Sequence, residues 1–410
     1  MSSPSLPALN ILVVGGGMIT AEVILPTVFQ ARRDGWIGEI TVASRRAKTI
    51  HELRKQFPDE PWTGFPEGNN PEKSEPECYK ARLQQLRSPA AVLVATPDHL
   101  HTPIILDALA AGHDVIVAKP LCLKVAEAHE IARVAKEKNL YVYTDYHKRH
   151  DKAIRAAKYK FSKGELGQML CGHAWIEERR EIPLKYFALW AAESSSFEYI
   201  GCHYVDAYHF ITNLRPKRVM GFVQAKLLPK LGKKAFDAGQ AVVEWEDTSI
   251  LYVQTSWILP DSNPNLTNQG LQLTGTEGEY RADHADRHAN FVTQSRGFQR
   301  FNPYFFKPYH DWDDPTRTVW HGYGGDSILQ PLDDIRRLHA AGSSKRPTML
   351  AQFEKTRPLP SQALIATAVN EAFRLSVQNK NRLVCFDEKM FPHLEKSSTA
   401  IDNSFLAKAG

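Results

Sequence analysis

The sequence contains few cysteines, and no two of them form a CxxC motif. The five are Cys78, Cys122, Cys171, Cys202 and Cys385. An odd number of widely spaced cysteines argues against both a disulfide framework and a zinc site. We therefore predict a protein of a reducing compartment, the cytoplasm, with no bound metal.

The sequence also lacks a long apolar run and a basic tract. No run approaches the roughly 20 residues that a membrane-spanning helix needs, and the first ten residues lack the charged region of a secretory signal. Lys and Arg number 51 against 46 Asp and Glu, a formal net charge of +5, and they are scattered along the chain. We therefore expect neither a membrane nor a nucleic acid as a partner.

What remains has the composition of a large globular protein. The chain has 410 residues, of which 43% are hydrophobic and 24% are charged, and this length suits two domains. Strands alternate with helices in residues 1–150, which predicts a doubly wound parallel sheet of the α/β class. Longer alternating strands in 151–410 predict an α/β domain with a large, mostly antiparallel, open-faced sheet. A helix at about 360–380 is expected to pack on that sheet or on the first domain.

A glycine-rich turn near the N-terminus indicates a dinucleotide site. A predicted strand at 10–14 leads into Gly15-x-Gly17-Met18-Ile19, and a helix follows. The glycines allow a tight turn and a close approach of a pyrophosphate, which the amino end of the helix attracts. Thr20 replaces the third glycine of the usual motif. We assign the four named residues before it to cofactor binding; the alternative is a plain strand–helix turn.

The end of the next predicted strand, at 39–43, bears on the choice of cofactor. A site for NAD usually has an acidic residue there, which holds the ribose hydroxyls. This chain has Ser44-Arg45-Arg46 instead. A hydroxyl and a guanidinium suit a 2′-phosphate, so the sequence favours NADP over NAD. The alternative is that the arginines simply face solvent.

Residues 91–120 place a lysine at the predicted ligand-binding edge of the first sheet. Two buried strands, at 91–95 and 114–117, flank a helix at 103–112, and Lys119 follows the second strand. Ligands of open α/β sheets bind beyond the carboxyl ends of the strands. Lys119 is therefore a candidate for the chemistry, although a lysine is more often a solvated surface residue.

Two further clusters carry polar groups. His147 and Lys148 follow a predicted strand at 140–143, at the same edge as Lys119. Tyr199, His203 and Asp206 recur at i, i+4 and i+7, which places them on one face of a helix. A phenol, an imidazole and a carboxylate suit proton transfer to or from a sugar hydroxyl; a buried amphipathic helix is the alternative. We interpret the HADRH segment at 284–288 as a loop rather than a metal site, because no further ligand is nearby.

Four motifs occur in order along the chain: Gly15-x-Gly17-Met18-Ile19-Thr20, Ala95-Thr96-Pro97-Asp98-x-x-His101, Lys119-Pro120 and Gly201-x-His203-x-x-Asp206. In combination they make the sequence resemble the Gfo/Idh/MocA family of nicotinamide-dependent sugar oxidoreductases over nearly its whole length. The resemblance implies a Rossmann domain followed by an open-faced α/β domain. The sheet of that second domain often forms the interface of a homodimer or homotetramer.

The resemblance also implies roles for individual residues. Lys119 would bind the reacting hydroxyl close to the nicotinamide, and His203 would be the acid/base, assisted by Tyr199. Other substrate hydroxyls or an acidic group would be bound by His147, Lys148 and Asp206. The cofactor would further contact Thr96, Pro97, His101 and Ala118.

Three departures from the family pattern affect the predicted reaction. Ala118 replaces a common Glu, Asp98 stands where Asn is common, and Tyr199 replaces the Asp of the dehydrogenases. The tyrosine resembles that of relatives that are glycosidases. We predict hydride transfer between a ring hydroxyl of a sugar, sugar derivative or cyclic polyol and NAD(P). A redox-cycling NAD-dependent glycosidase and a cofactor-binding regulator without catalysis are the alternatives.

Overall fold

The first sheet forms from short apolar segments that lie between amphipathic helices. The structure, a computed structural model, describes residues 6–68 and 70–396. The six strands are β1 Leu9–Val14, β2 Ile37–Ala43, β3 Thr63–Phe65, β4 Ala90–Val94, β5 Asp114–Ala118 and β6 Val142–Asp145. They are all parallel, in the order β3-β2-β1-β4-β5-β6. This confirms the predicted doubly wound sheet, and it brings the ends of β1, β4 and β5 together.

Helices connect these strands and cover both faces of the sheet. They are α1 Leu25–Arg33, α2 Ala47–Gln56, α3 Cys78–Gln85, α4 His101–Ala110 and α5 Val125–Lys138, followed by α6 Lys152–Ser162. A single π-helical turn, Thr20–Ile24, precedes α1. Short 3-10 turns at Asp98–Leu100 and His147–His150 follow the ends of β4 and β6.

The second sheet has eight strands, six of which come from the middle of the chain. These six are β7 Met169–Arg179, β8 Pro216–Gln224, β9 Ala238–Trp245, β10 Ile250–Leu259, β11 Thr267–Gly275 and β12 Glu279–Asp283. Neighbouring strands are antiparallel except for β7 and β10, which are parallel. Buried and partly exposed residues alternate strictly along β9, as expected of a sheet with one covered face. The predicted large, mostly antiparallel sheet is thus confirmed.

Two helices cover the buried face of this sheet. The first is α7, Cys202–Thr212, which directly follows a π-helical turn at Phe197–Gly201. The second lies near the C-terminal end of the chain, at Pro360–Gln378.

Two small hairpins project from the chain before it returns to the first sheet. They are β13 Ala289–Thr293 with β14 Gly297–Phe301, and β15 Lys307–His310 with β16 Thr318–His321. Helices α8 Tyr323–Ala341 and α9 Arg346–Phe353 follow. Apolar residues of α8, such as Ile328 and Leu332, share a core with Leu9 and Ile11 of β1. Residues beyond 150 therefore complete one helical layer of the first sheet.

The chain then forms the second covering helix, α10 Pro360–Gln378, and the edge strands β17 Val384–Phe386 and β18 Pro392–Leu394. The ring of Phe373 in α10 stacks on that of Phe197, with centroids 4.1 Å apart. Helix α10 packs against β8, α7 and α5, so it contacts both parts of the molecule. Within residues 6–68 and 70–396, no helix is long and apolar enough to cross a membrane.

Candidate active site

The glycine turn after β1 has the shape of a phosphate cradle. Gly15 has a φ of +109°, and a Cβ built there would lie 2.2 Å from the carbonyl oxygen of Ala95. Around a Cβ built on Gly17, by contrast, the described residues place no atom within 4 Å. The hydroxyl of Thr20 donates to the Gly15 carbonyl at 2.9 Å and closes the turn. Half-buried Met18 and Ile19 lead into the helix, whose amino end suits an anion.

The adjacent β4 end supplies a polar group that lacks a partner. The hydroxyl of Thr96 is buried and has no hydrogen-bond partner in the part of the chain that the structure describes. Thr96 and Pro97 lie beside the glycine turn, because β1 and β4 are neighbours. Ala118, half-buried, ends β5 at the same edge. An open cradle and an orphaned hydroxyl fit a dinucleotide that crosses this edge.

His101 holds two loops of this edge together. Its side chain is fully buried, with Nδ1 2.8 Å from the Pro120 carbonyl oxygen and Nε2 3.0 Å from that of Thr96. Both ring nitrogens are thus occupied by the protein itself. The direct contact of His101 with the cofactor stays a prediction.

The end of β2 gathers cationic side chains. Ser44 is buried, whereas Arg45 is exposed and its Nε donates to the Ser74 hydroxyl at 2.7 Å. The Arg82 guanidinium lies 3.9 Å from the centroid of the Phe65 ring. Among the described residues, the buried Nε atoms of Arg46 and Arg82 have no hydrogen-bond partner. A group with several negatively charged oxygens would satisfy such donors.

Lys119 is held from the other part of the chain. Its Nζ donates to the backbone carbonyl of Tyr199 at 2.5 Å and lies 3.4 Å from the centroid of the same residue's ring. Burial lowers the pKa of Lys119 from its usual value. Lys119 as a whole is half-buried and follows the carboxyl end of β5, where the sequence predicts a group that takes part in the chemistry.

Tyr199 lies on the π-helical turn before α7. This turn changes the direction in which its side chain points. A π turn holds more residues than an α turn, so Tyr199 is rotated relative to His203. Its ring packs edge-on against Phe187 and Trp190, with centroids 4.8 and 5.3 Å away. Its other ring contact is with Trp257, and its hydrogen bonds are with Ser195, Cys202 and Lys119.

His203 is buried, and its Nδ1 is unpaired within the described residues. It is 4% exposed, and its Nδ1 has no hydrogen-bond partner within the described chain. Its ring centroid lies 4.4 Å from that of His147. Burial lowers the pKa of His203 well below the usual value, and nearby His147 and Lys119 add to the effect. The imidazole is therefore neutral at physiological pH and is able to accept a proton.

His147 meets this imidazole from the short turn after β6, and Lys148 is the next residue in that turn. The ring of His147 also contacts Phe305 and Tyr323, with centroids 5.4 and 5.7 Å away. Lys148 is 1% exposed and donates to the side-chain carbonyl of Gln269. Burial lowers the pKa of Lys148 to about 7. His147 thus lies against His203, whereas the Lys148 ammonium lies 4.8 Å from the centroid of the Tyr204 ring; substrate binding by the two residues stays a prediction.

Asp206 is engaged inside the protein. Its two carboxylate oxygens accept hydrogen bonds of 2.8 and 2.7 Å from Nε and Nη2 of Arg149. Both side chains are almost completely buried. Both oxygens are thus committed to a bidentate ion pair with Arg149, and the contact of Asp206 with substrate stays a prediction.

Glu178 and Asp145 are candidates that the sequence reasoning missed. Glu178 is 8% exposed, and its Oε2 accepts a hydrogen bond from the Trp257 indole at 3.0 Å. Burial raises the pKa of Glu178 to about 7, against the effect of Lys119. Burial likewise raises the pKa of Asp145 to about 6. The available signal was the inward alternation of Ala174 and Ile176 along β7, which puts a carboxylate at a core position.

The HADRH segment is a loop, as predicted. The buried ring of His284 lies between two tyrosine hydroxyls, that of Tyr204 at 2.9 Å from Nδ1 and that of Tyr280 at 3.1 Å from Nε2. Across residues 6–68 and 70–396, no group of three His, Cys, Asp or Glu side chains is arranged to hold a metal ion.

Comparison with known proteins gives a match in both parts of the chain. Residues 9–146 match a family model described as the GFO/IDH/MocA oxidoreductase family with an NAD-binding Rossmann fold. Residues 154–281 match the GFO/IDH/MocA C-terminal domain.

Two curated relatives and one solved structure illustrate which proteins this chain is similar to. The levoglucosan dehydrogenase of Pseudarthrobacter phenanthrenivorans is 22% identical over 68% of this chain and 78% of its own length. The 2,7-anhydro-N-acetylneuraminate hydratase of Mediterraneibacter gnavus is 26% identical over 58% of this chain and 62% of its own length. The structure of myo-inositol 2-dehydrogenase from Lactobacillus plantarum matches with a TM-score of 0.66 and 16% identity, covering 93% of this chain and 100% of that one. At that identity the structural likeness shows the fold.

Proposed function

The chain belongs to the Gfo/Idh/MocA family of NAD-binding oxidoreductases, and from this we propose a specific reaction for it. It transfers a hydride between a ring hydroxyl of a sugar, sugar derivative or cyclic polyol and a nicotinamide. When bound, the nicotinamide dinucleotide supplies or accepts the hydride. The relatives named as dehydrogenases of a sugar derivative and of an inositol support this substrate class.

The observation that carries the proposal is the setting of Lys119. The ammonium group of half-buried Lys119 is fixed at the carboxyl end of β5, at the same sheet edge as the open cradle of Gly15 and Gly17. In this position it donates a hydrogen bond to the hydroxyl that is oxidised and stabilises the negative charge that develops on that oxygen.

His203 is the general acid/base for the proton of the same hydroxyl. The imidazole is neutral and has an unoccupied Nδ1 in the described chain, so it takes the hydroxyl proton in oxidation and returns it in reduction. His147 and Lys148 bind other hydroxyls of the substrate or an acidic group on it. Tyr199 supports Lys119 and, through it, this proton transfer.

NADP is the preferred cofactor in our proposal. Ser44 and Arg45 would bind the 2′-phosphate, and the unsatisfied Nε atoms of Arg46 and Arg82 favour an anion close by. We further propose that the enzyme is cytoplasmic and that its open-faced sheet forms a homodimer or homotetramer.

A second candidate is redox-cycling cleavage or hydration, in which a sugar is oxidised, undergoes elimination and is reduced again. The specific observation in its favour is Tyr199, which stands where the dehydrogenases of the family have Asp and which holds the Lys119 amine. A hydratase among the relatives points the same way.

The test is an incubation with free sugars, inositols and aryl pyranosides, with NAD or NADP. Reduced nicotinamide and released phenol are followed together. We expect stoichiometric reduction of the cofactor without phenol release, and faster reduction of NADP than of NAD. Phenol release with only catalytic cofactor would establish the second candidate, and cofactor binding without either signal would support a regulator.

A further inference from the structure

We propose that Lys148 and Arg287 together form a subsite for a carboxylate, so that the substrate is a sugar acid, such as a uronic acid, rather than a neutral sugar or polyol. The inference rests on the proposed function and narrows its substrate class. It also gives a role to Arg287 of the HADRH segment, to which the proposed reaction assigns none.

Lys148 lies next to the proposed acid/base. In the short turn after β6, the ring of His147 lies 4.4 Å from that of His203, centroid to centroid. The next residue, Lys148, places its ammonium 4.8 Å from the centroid of the Tyr204 ring, and Tyr204 follows His203 in α7. Two consecutive residues of the turn thus contact two consecutive residues of α7, which brings the ammonium to the neighbourhood of the reacting hydroxyl.

Arg287 reaches the same place from the loop between β12 and β13. Its Nη2 donates to Oδ2 of Asp151, whose backbone N–H donates to the Lys148 carbonyl at 3.1 Å. The same loop is tied to the hydrogen-bond partner of Lys148. The backbone N–H of His284 donates to the carbonyl of Gln269 at 2.8 Å, and the side chain of Gln269 accepts from Lys148. Lys148 and Arg287 therefore belong to one buried cluster.

This cluster holds more positive than negative charge. Lys148 is 1% exposed, and the side chain of Arg287 is 11% exposed. In the described part of the chain, Arg287 forms an ion pair with Asp151, whereas Lys148 forms none and donates to the neutral amide of Gln269. The buried Nε of Arg287 has no hydrogen-bond partner among the same residues. Burying charged donors without an acceptor is costly, so the cluster favours an added anion.

The carboxylates of the surrounding segments are already engaged. Oδ1 of Asp283 accepts hydrogen bonds from two backbone N–H groups of the loop at 2.8 and 2.7 Å. Asp286 accepts from a third at 2.9 Å and pairs with Arg300 at 3.3 Å. The second oxygen of Asp151 caps the first turn of α6 at 3.0 Å. The added anion must therefore come with the ligand.

A carboxylate matches these donors. It has two acceptor oxygens, one for the Lys148 ammonium and one for the Nε of Arg287, and both hydrogen bonds would be charge-assisted. Burial lowers the pKa of Lys148 to about 7, and an opposite charge beside an amine favours its protonated form. A carboxylate on the substrate would supply the charge that this amine lacks.

The experiment compares uronic acids with the hexoses that carry a hydroxymethyl group in place of the carboxylate. The pairs are glucuronate with glucose and galacturonate with galactose, and kcat/KM is measured for each at saturating NAD or NADP. We expect at least one uronate to exceed its hexose by roughly 10- to 100-fold, the usual gain from a hydrogen bond to a charged group. In Lys148→Met this ratio should fall about tenfold or more. The exposed Lys152→Met is the matched control and should keep the wild-type ratio.

Three results would overturn the proposal. They are a wild type that uses each hexose as well as its uronate, a stronger preference for glucose 6-phosphate than for glucuronate, and an unchanged ratio in Lys148→Met. If Lys148→Met does not fold, Arg287→Lys takes its place, because it keeps a cation beside Asp151 and removes the Nε donor. The ratio should then fall severalfold, and an unchanged ratio counts against the subsite.

Calorimetric titration of the full-length protein with cofactor separates the inference from the proposed function. The ligands are glucuronate, galacturonate and the uncharged analogue glucuronamide. Uronate binding that weakens about tenfold in Lys148→Met, without turnover of any carbohydrate, supports the subsite and contradicts the proposed function. Turnover of neutral sugars or inositols without measurable uronate binding contradicts the inference alone.

Discussion

The ammonium nitrogen of Lys119 lies 3.4 Å from the centroid of the Tyr199 ring and donates to the backbone carbonyl of that residue. The two residues are 80 positions apart in the chain; Lys119 follows β5 of the first sheet, and Tyr199 lies on the π-helical turn before α7. The amine is therefore held in place by a turn of the second part of the molecule. The site exists only where both parts are folded and docked.

The two glycines of the cradle should respond differently to alanine. Gly15→Ala places a Cβ against the Ala95 carbonyl at a φ of +109°, so the loss of stability should be about 1–3 kcal/mol or more. Gly17→Ala meets open space within the described chain, so its melting temperature should stay within about 2 °C while cofactor Kd rises about tenfold. Thermal melts and cofactor titrations measure both. Equal stability of the two variants would contradict the cradle geometry.

Cofactor preference should depend on Arg45. Removing a guanidinium that binds a phosphate costs about 1.5–3 kcal/mol, so Arg45→Ala should lose roughly 10- to 100-fold in kcat/KM with NADP. The value with NAD should be unchanged. The surface residue Arg87, whose side chain is 74% exposed, provides the control Arg87→Ala. Equal losses with both cofactors would show that Arg45 does not bind the 2′-phosphate.

Asp206 should matter for stability rather than for substrate binding. Asp206→Asn leaves Arg149 as a buried, unpaired charge, which typically costs about 3–5 kcal/mol. Urea denaturation should show that loss, while KM of the folded enzyme changes little. Glu130→Gln breaks an exposed pair with Arg133 and should be nearly neutral. Unchanged stability with a raised KM would return Asp206 to the substrate pocket.

Stability should depend on pH through Glu178. Its pKa rises from the usual 4.5 to about 7 on folding, so between these values the folded state holds a proton that the unfolded state has lost. Stability from this group therefore falls as pH rises from about 4.5 to 7. Glu178→Gln should match the wild type at pH 4 and exceed it at pH 8, by on the order of 3 kcal/mol at about 1.4 kcal/mol per pH unit. Denaturant titrations at both pH values measure this difference, and a gap of equal size at both would contradict it.

The strongly patterned elements of the fold are those that the sequence predicts well. The buried strands, helix α5 with its exact apolar spacing, and the position of Lys119 follow from local periodicity and from the geometry of parallel sheets. The sequence does not predict the hairpins β13–β14 and β15–β16, because their strands are short and mostly exposed and therefore show little hydrophobic alternation.

The features of the site that the sequence does not predict depend on contacts between distant segments of the chain. The alternation along β7 turns Glu178 inward rather than Glu177, but no local pattern shows that the Trp257 indole binds its carboxylate. The pairing of Asp206 with Arg149 likewise joins residues that are 57 positions apart in the chain. The π turn at Phe197–Gly201 shifts Tyr199 off the helical face that its i, i+4 spacing predicts, and helix periodicity contains no signal for such an insertion.

The central claim is that Lys119 is the catalytic residue of a hydride-transfer enzyme, and Lys119→Met tests it most directly. The variant keeps the length of the side chain and removes its charge, and the exposed Lys124→Met is the control. Turnover of the best substrate and cofactor Kd are measured in parallel. The account predicts a fall in kcat of about 10²- to 10³-fold with cofactor Kd within about threefold of wild type. A variant that turns over at the wild-type rate would contradict it.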